Sequence, residues 1–103
     1  MRIFSERLNN CRRRGGFTVS DLQRWFGRPR STVNTWVEGR EPFGPQAKRA
    51  MHRLDLLEYS LRVRPDYYPI GDDLSWTERE QFVRGMLDDA ERHYSVPDVR
   101  ATA

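Results

Sequence analysis

Arg28, Arg30, Ser31, Asn34 and Thr35 fall in a window of eight residues. At about 100° per residue, Arg30, Ser31, Asn34, Thr35 and Glu38 share one side of a helix, opposite Val33, Trp36 and Val37. A guanidinium is a fork of donors. An Asn amide sets a donor beside an acceptor, and hydroxyls serve as either. That set is suited to base edges in a duplex major groove. Arg30 and Arg28 match guanine O6 and N7, Asn34 matches adenine N6 and N7, and Ser31 or Thr35 matches a thymine methyl or a phosphate.

The stretch Phe17–Gly39 must hold that face. Val19, Leu22, Trp25 and Phe26 predict one short amphipathic helix, with Gly27 just past its end. A second helix is expected over 29–38, opened by Pro29 and stopped at Gly39. Two short helices about a glycine turn make a helix-turn-helix unit. Thr18-Val19-Ser20-Asp21 fits a capping box. In a docked unit of this kind the free N–H groups at that helix start favour a phosphate, which makes Thr18, Ser20 and Gln23 candidate phosphate contacts. Arg24 lies outside the apolar stripe and joins them. Arg40 and Lys48 flank the loop 39–44 and are expected to clamp phosphates beyond the second helix. Trp25 and Trp36 could stack on unpaired bases, but their helical positions suit core volume better.

The unit resembles the helix-turn-helix of the phage-repressor-like (xenobiotic-response-element) transcriptional regulators. Gly27 stands at the turn glycine, Leu22 and Phe26 at first-helix core positions, and Val33 and Trp36 at those of the recognition helix. Ser31-Thr32-Val33-Asn34-Thr35-Trp36, then Gly39 and Pro42, is similar to the recognition helix and exit loop. Gln23, Arg28 and Pro29 depart from the pattern, standing where Ala, a small apolar residue and a Ser cap are usual. The resemblance covers roughly residues 1–61 and implies a repressor, phage-encoded or an antitoxin-like autoregulator.

Charge agrees with a polyanionic partner. Residues 1–49 carry eleven basic groups against four acidic ones, and residues 50–103 carry seven against eleven. A basic half joined to an acidic one is the footprint of nucleic-acid binding tied to a segment that does not touch nucleic acid. Of the eighteen cations only Lys48 is lysine. Arg suits bidentate contacts, though codon usage in a GC-rich genome is the plainer source. Arg12-Arg13-Arg14 reads equally as a phosphate contact or as a solvated helix end whose cations favour the C-terminal dipole.

Other functions find little footing. Cys11 is alone, which fits a reducing compartment, and its stripe position suits a small core residue. His52 has no ligand at i+4, so no metal site is expected. Asp72, Asp73, Glu78, Glu80, Asp88 and Asp89 could be read as metal carboxylates of a nuclease, but no base or His accompanies them at useful spacing. No enzyme, cofactor or small-molecule ligand is expected. There is no apolar run of membrane-spanning length, and the N-terminus MRIFSERLNN lacks a signal-peptide core. The expectation is a cytoplasmic protein.

The remaining chain predicts an all-α fold, a small bundle of four to five helices with a C-terminal helical appendage. Phe4, Leu8 and Cys11 predict a first helix over 2–14, with Asn9 outward, ended by Gly15-Gly16. Ala47, Ala50, Met51, Leu54, Leu56, Leu57 or Glu58, Tyr59 and Leu61 predict a long helix over 45–63, and Phe43 is expected to tuck beneath the core. Ser75-Trp76-Thr77-Glu78 repeats the capping pattern. The helix it opens carries Trp76, Phe82 or Val83, Met86, Leu87, Ala90 and Tyr94, a stripe that cannot be buried alone. The expected organisation is therefore a DNA-binding domain over 1–64, a linker over 65–74, an oligomerisation helix over 75–95 and a disordered tail over 96–103. One recognition helix reads few base pairs, so a homodimer on double-stranded DNA is expected, and a protein cut at residue 64 is expected to fold as a weaker monomer. The alternative is the DNA-recognition subunit of a phage packaging or assembly complex, similar to a small terminase.

Overall fold

The computed structural model describes residues 3–94, and all its regular structure is helical. The helices are α1 (Ile3–Gly15), α2 (Val19–Phe26), α3 (Arg30–Val37), α4 (Gln46–Val63) and α5 (Trp76–His93), with a single 3-10 turn at Pro65–Tyr67 between the last two. The expected tail from residue 96, with Pro97, lies outside the described residues.

Each short helix is defined by its ends. Thr18 Oγ1 accepts from the Asp21 N–H at 3.1 Å, and the Asp21 carboxylate accepts from the Thr18 N–H at 2.9 Å, so the expected capping box of α2 is formed. Gly27 ends α2 in the left-handed region at φ 65°, its N–H on the Gln23 carbonyl. A Cβ there would disfavour that φ, which is why the turn requires glycine. Pro29 is extended at φ −61° and ψ 154°, so α3 begins at Arg30, one residue later than expected. Ser75 and Glu78 cap α5 in the same reciprocal way as α2.

The core is one cluster drawn from every helix. Trp36 of α3 meets Phe4 of α1 and Phe26 of α2 edge-on, with ring centres 5.2 and 5.6 Å apart, an arrangement favourable to aromatic quadrupoles. Trp25 and Trp36 are thus core residues, and the Trp25 indole N–H donates to the Arg53 carbonyl of α4 at 2.9 Å. Leu57 fills the core position that the pattern left open with Glu58, and Val83 the one left open with Phe82.

α5 packs on both α2 and α4. Val83, Met86 and Ala90 are buried there, and Ile70 of the preceding segment is buried beside Gly15, whose carbonyl takes the Ile70 N–H at 2.9 Å. Residues 65–94 therefore share the core of the helix-turn-helix. Cutting the chain at residue 64 would strip these side chains away, so a folded remainder, expected from sequence, no longer follows.

Three placements differ from expectation. Phe43 is 70% exposed and not under the core. Trp76 is 66% exposed, and its ring stacks on Arg24 of α2, with the guanidinium carbon 4.5 Å from the ring centre. Asn9 does not face outward. Its amide donates to the Ser5 and Val37 carbonyls, both at 3.0 Å, which ties off a free end of α3. No helix of the described residues is long and apolar enough to cross a membrane.

Candidate nucleic-acid interface

α3 is seated from beneath. Val33 and Trp36 are buried, Ser5 Oγ donates to the Trp36 carbonyl at 2.7 Å, and Asn9 holds that of Val37. The anchors all grip the inner face and the C-terminal end. The outer face is left open, with Arg30 and Ser31 exposed and Asn34 and Thr35 half-buried.

The two motif helices meet at their starts. Arg30 donates through Nη1 to Ser20 Oγ at 3.0 Å, which brings an expected base reader to an expected phosphate contact. No side chain caps α3, so its first N–H groups have no side-chain acceptor. Thr35 Oγ1 donates to the Thr32 carbonyl at 2.6 Å, leaving its oxygen lone pairs and methyl for any outside contact. Arg28 lies on the turn, off α3. It is half-buried, and its Nε–H is buried with no hydrogen-bond partner among the described residues.

The expected phosphate contacts divide. Arg40 and Lys48 are exposed and in no ion pair among the described residues. Thr18 is exposed, though its hydroxyl already accepts in the cap. Gln23 is half-buried, and its main-chain carbonyl takes the Gly27 and Arg28 N–H groups. Arg24 is committed to its own protein, 3.6 Å from Asp21 and stacked under Trp76. Of the three consecutive arginines, Arg12 and Arg13 donate to Asn9 and Asn10 on α1, and Arg14 is exposed.

The start of α2 has a support that no local pattern reveals. Asp21 is 1% exposed and is held by Arg79 of α5 at 2.6 Å. The same guanidinium donates to the Gly16 carbonyl at 2.8 Å and the Gly71 carbonyl at 3.0 Å. A buried carboxylate is stable only when so paired. The cap of α2 is therefore fastened across 58 residues of sequence.

Sequence reasoning gave the loop beyond α3 but not its anchor. Glu41 caps α1, its two oxygens accepting from the Phe4 and Ser5 N–H groups at 2.8 and 3.0 Å. The loop is thereby fixed beside α3, and an open groove of about 240 Å³ runs between them, with Ser31 and Thr35 on one side and Arg40 and Phe43 on the other.

Cys11 is 2% exposed, and burial pushes its thiol up to about 12, so it carries no thiolate near neutrality. Among the described residues no cluster of three His, Cys, Asp or Glu could hold a metal ion. His52 is exposed, 6.3 Å from the Tyr94 ring.

No protein-family model, curated protein or solved structure matches the chain.

Proposed function

We propose that this chain binds double-stranded DNA as a sequence-specific regulator, with α3 in the major groove. The observation that carries the reading is the open outer face of α3. Its inner face and end are anchored by Ser5, Asn9 and Trp36, while Arg30 and Ser31 are exposed, Asn34 is half-buried, and Arg40 on the following loop is in no ion pair among the described residues. A helix held that rigidly from one side can be pressed between two phosphate rails without losing its seat. The cations then take phosphates, and the α3 side chains take base edges.

The finer reading is a cytoplasmic repressor, phage-encoded, acting as a homodimer on a two-fold operator. Its half-sites would lie about 34–36 Å apart, one helical turn. The resemblance of Phe17–Gly39 to phage-repressor-like regulators supports it, as does the basic balance of residues 1–49.

Selection of bound duplexes from a random pool tests the proposal. A recurring palindrome is the expected result. Arg30→Ala should then lose preference at a single base pair while keeping affinity for random DNA. Equal loss on selected and random duplexes would remove Arg30 from base reading, and no retained duplex at low salt would refute DNA binding altogether.

A further inference from the structure

Phe43 is the largest departure between pattern and placement. A ring that could have entered the core instead stands 70% exposed in the loop after α3. The loop is not loose. Glu41 is tied to the start of α1, the Arg40 N–H donates to the Thr35 carbonyl at 2.9 Å, and the Ala47 N–H donates to the Gly44 carbonyl at 3.1 Å. Pro42 and Pro45 stiffen it further. An apolar ring presented on a fixed loop loses favourable burial until something covers it.

The surroundings indicate the kind of cover. Phe43 forms one wall of the groove that runs along Ser31 and Thr35 of α3, with Arg40 and Gln46 beside it. The one carboxylate on that groove, Glu41, is occupied by the α1 N–H groups. The groove thus offers a cation, three hydroxyls, an amide and a ring, and its one carboxylate is turned to the start of α1. Its complement is an anionic strand with apolar faces between the charges. A nucleic-acid backbone has that composition, with phosphates for Arg40 and sugar and thymine-methyl surfaces for the ring.

We propose that Phe43 is a nucleic-acid contact, its ring lying on the sugar and base-methyl surface of the strand whose phosphates Arg40 takes up. This rests on the duplex-binding reading above and extends the interface beyond α3. An uncharged ring displaces no counterions, so its share of affinity is independent of salt, unlike that of the flanking cations.

The test uses the full chain, a duplex selected by the wild type and a random duplex, titrated across a salt series. Phe43→Ala should bind the selected duplex on the order of tenfold more weakly at every salt concentration. Its log–log salt slope should match the wild type. Phe43→Leu, which keeps apolar area, should fall between the two. Hydroxyl-radical footprinting should lose protection at a few sugars flanking the α3 contacts. Wild-type affinity for Phe43→Ala would overturn the proposal. So would unchanged DNA binding with a shifted monomer–dimer equilibrium, since the ring would then meet a second copy. If the wild type binds no duplex, the functional reading falls and the proposal with it. If the wild type binds and Phe43→Ala is indistinguishable from it, only the role of the ring falls.

Discussion

The cations expected to meet DNA and those of α5 and its supports differ in how they are paired. Arg53, Arg64, Arg79 and Arg84 each stand within ion-pair distance of a carboxylate, namely Glu91, Asp89, Asp21 and Glu80. Arg30, Arg40 and Lys48 are in no ion pair among the described residues, although Lys48 shares a groove with Asp55. The first group stabilises the protein against itself. The second leaves its charge unanswered, which raises self-repulsion and is tolerated where a polyanion is to be bound. Net charge hides this division, because both groups are arginine-rich. Arg24 stands between the two, a cation in the basic half that the protein has already engaged.

That contrast can be broken first at Arg79. Arg79→Ala leaves the Asp21 carboxylate buried without its closest partner and should cost about 3–5 kcal/mol in urea or thermal unfolding. Asp21→Asn combined with Arg79→Met should recover part of that loss. Loss of stability no greater than for an exposed arginine would place the pair among ordinary surface bridges. Truncation at residue 64 removes the same contact together with four core side chains and is expected to leave no cooperative unfolding transition.

On the other side of the contrast, substitutions should spare stability and harm binding. Arg30→Ala or Asn34→Ala should cost about 1–3 kcal/mol at a single base position. Arg40→Ala and Lys48→Ala should weaken all duplexes alike, each flattening the salt slope by about 0.9. Melting temperatures of all four should stay close to wild type. A large drop in melting temperature for Arg40→Ala would mean that the open cations are structural after all.

Arg24 offers a smaller and sharper reading. If it leaves Trp76 for a phosphate on binding, the emission of the exposed Trp76 should change, while buried Trp25 and Trp36 stay silent. Trp76→Phe should abolish the signal without altering affinity much. A signal that survives this change would locate the rearrangement in the core.

The smallest expected effect lies in two carboxyl groups of α5. The Ser75 N–H holds the Glu78 carboxyl below its ordinary range, and Arg64 does the same for Asp89. A carboxylate depressed in the folded state contributes stability at pH above its unfolded value. That contribution is lost as acid titrates it through the folded one. Stability should therefore decline as the pH falls below about 4.3, the ordinary glutamate value. Glu78→Gln should lower stability at neutral pH and flatten the decline. An unchanged acid limb would assign the acid sensitivity elsewhere.

Much of this was legible in the chain because it is local. The 3.6-residue period placed all five helices, and Thr18 with Asp21 and Ser75 with Glu78 marked two helix starts through bonds spanning three residues. Gly27 marked the turn for a reason confined to its own φ. Even the open face of α3 follows from one helix's periodicity. Periodicity says which side of a helix is apolar, however, and not which neighbour arrives to cover it. It read Trp76 as core, when the ring lies on Arg24 of α2. The loop residue Phe43, expected beneath the core, is turned outward where Glu41 commits the loop to α1. Periodicity left Asn9 facing water, when α3 comes to lie within hydrogen-bond distance. The tie from Arg79 to Asp21 was beyond any local rule. A lone acidic residue in a capping box and a lone arginine near the start of a distant helix carry no mark of each other, and only the packing of α5 on α2, which excludes water from between them, makes their pairing decisive.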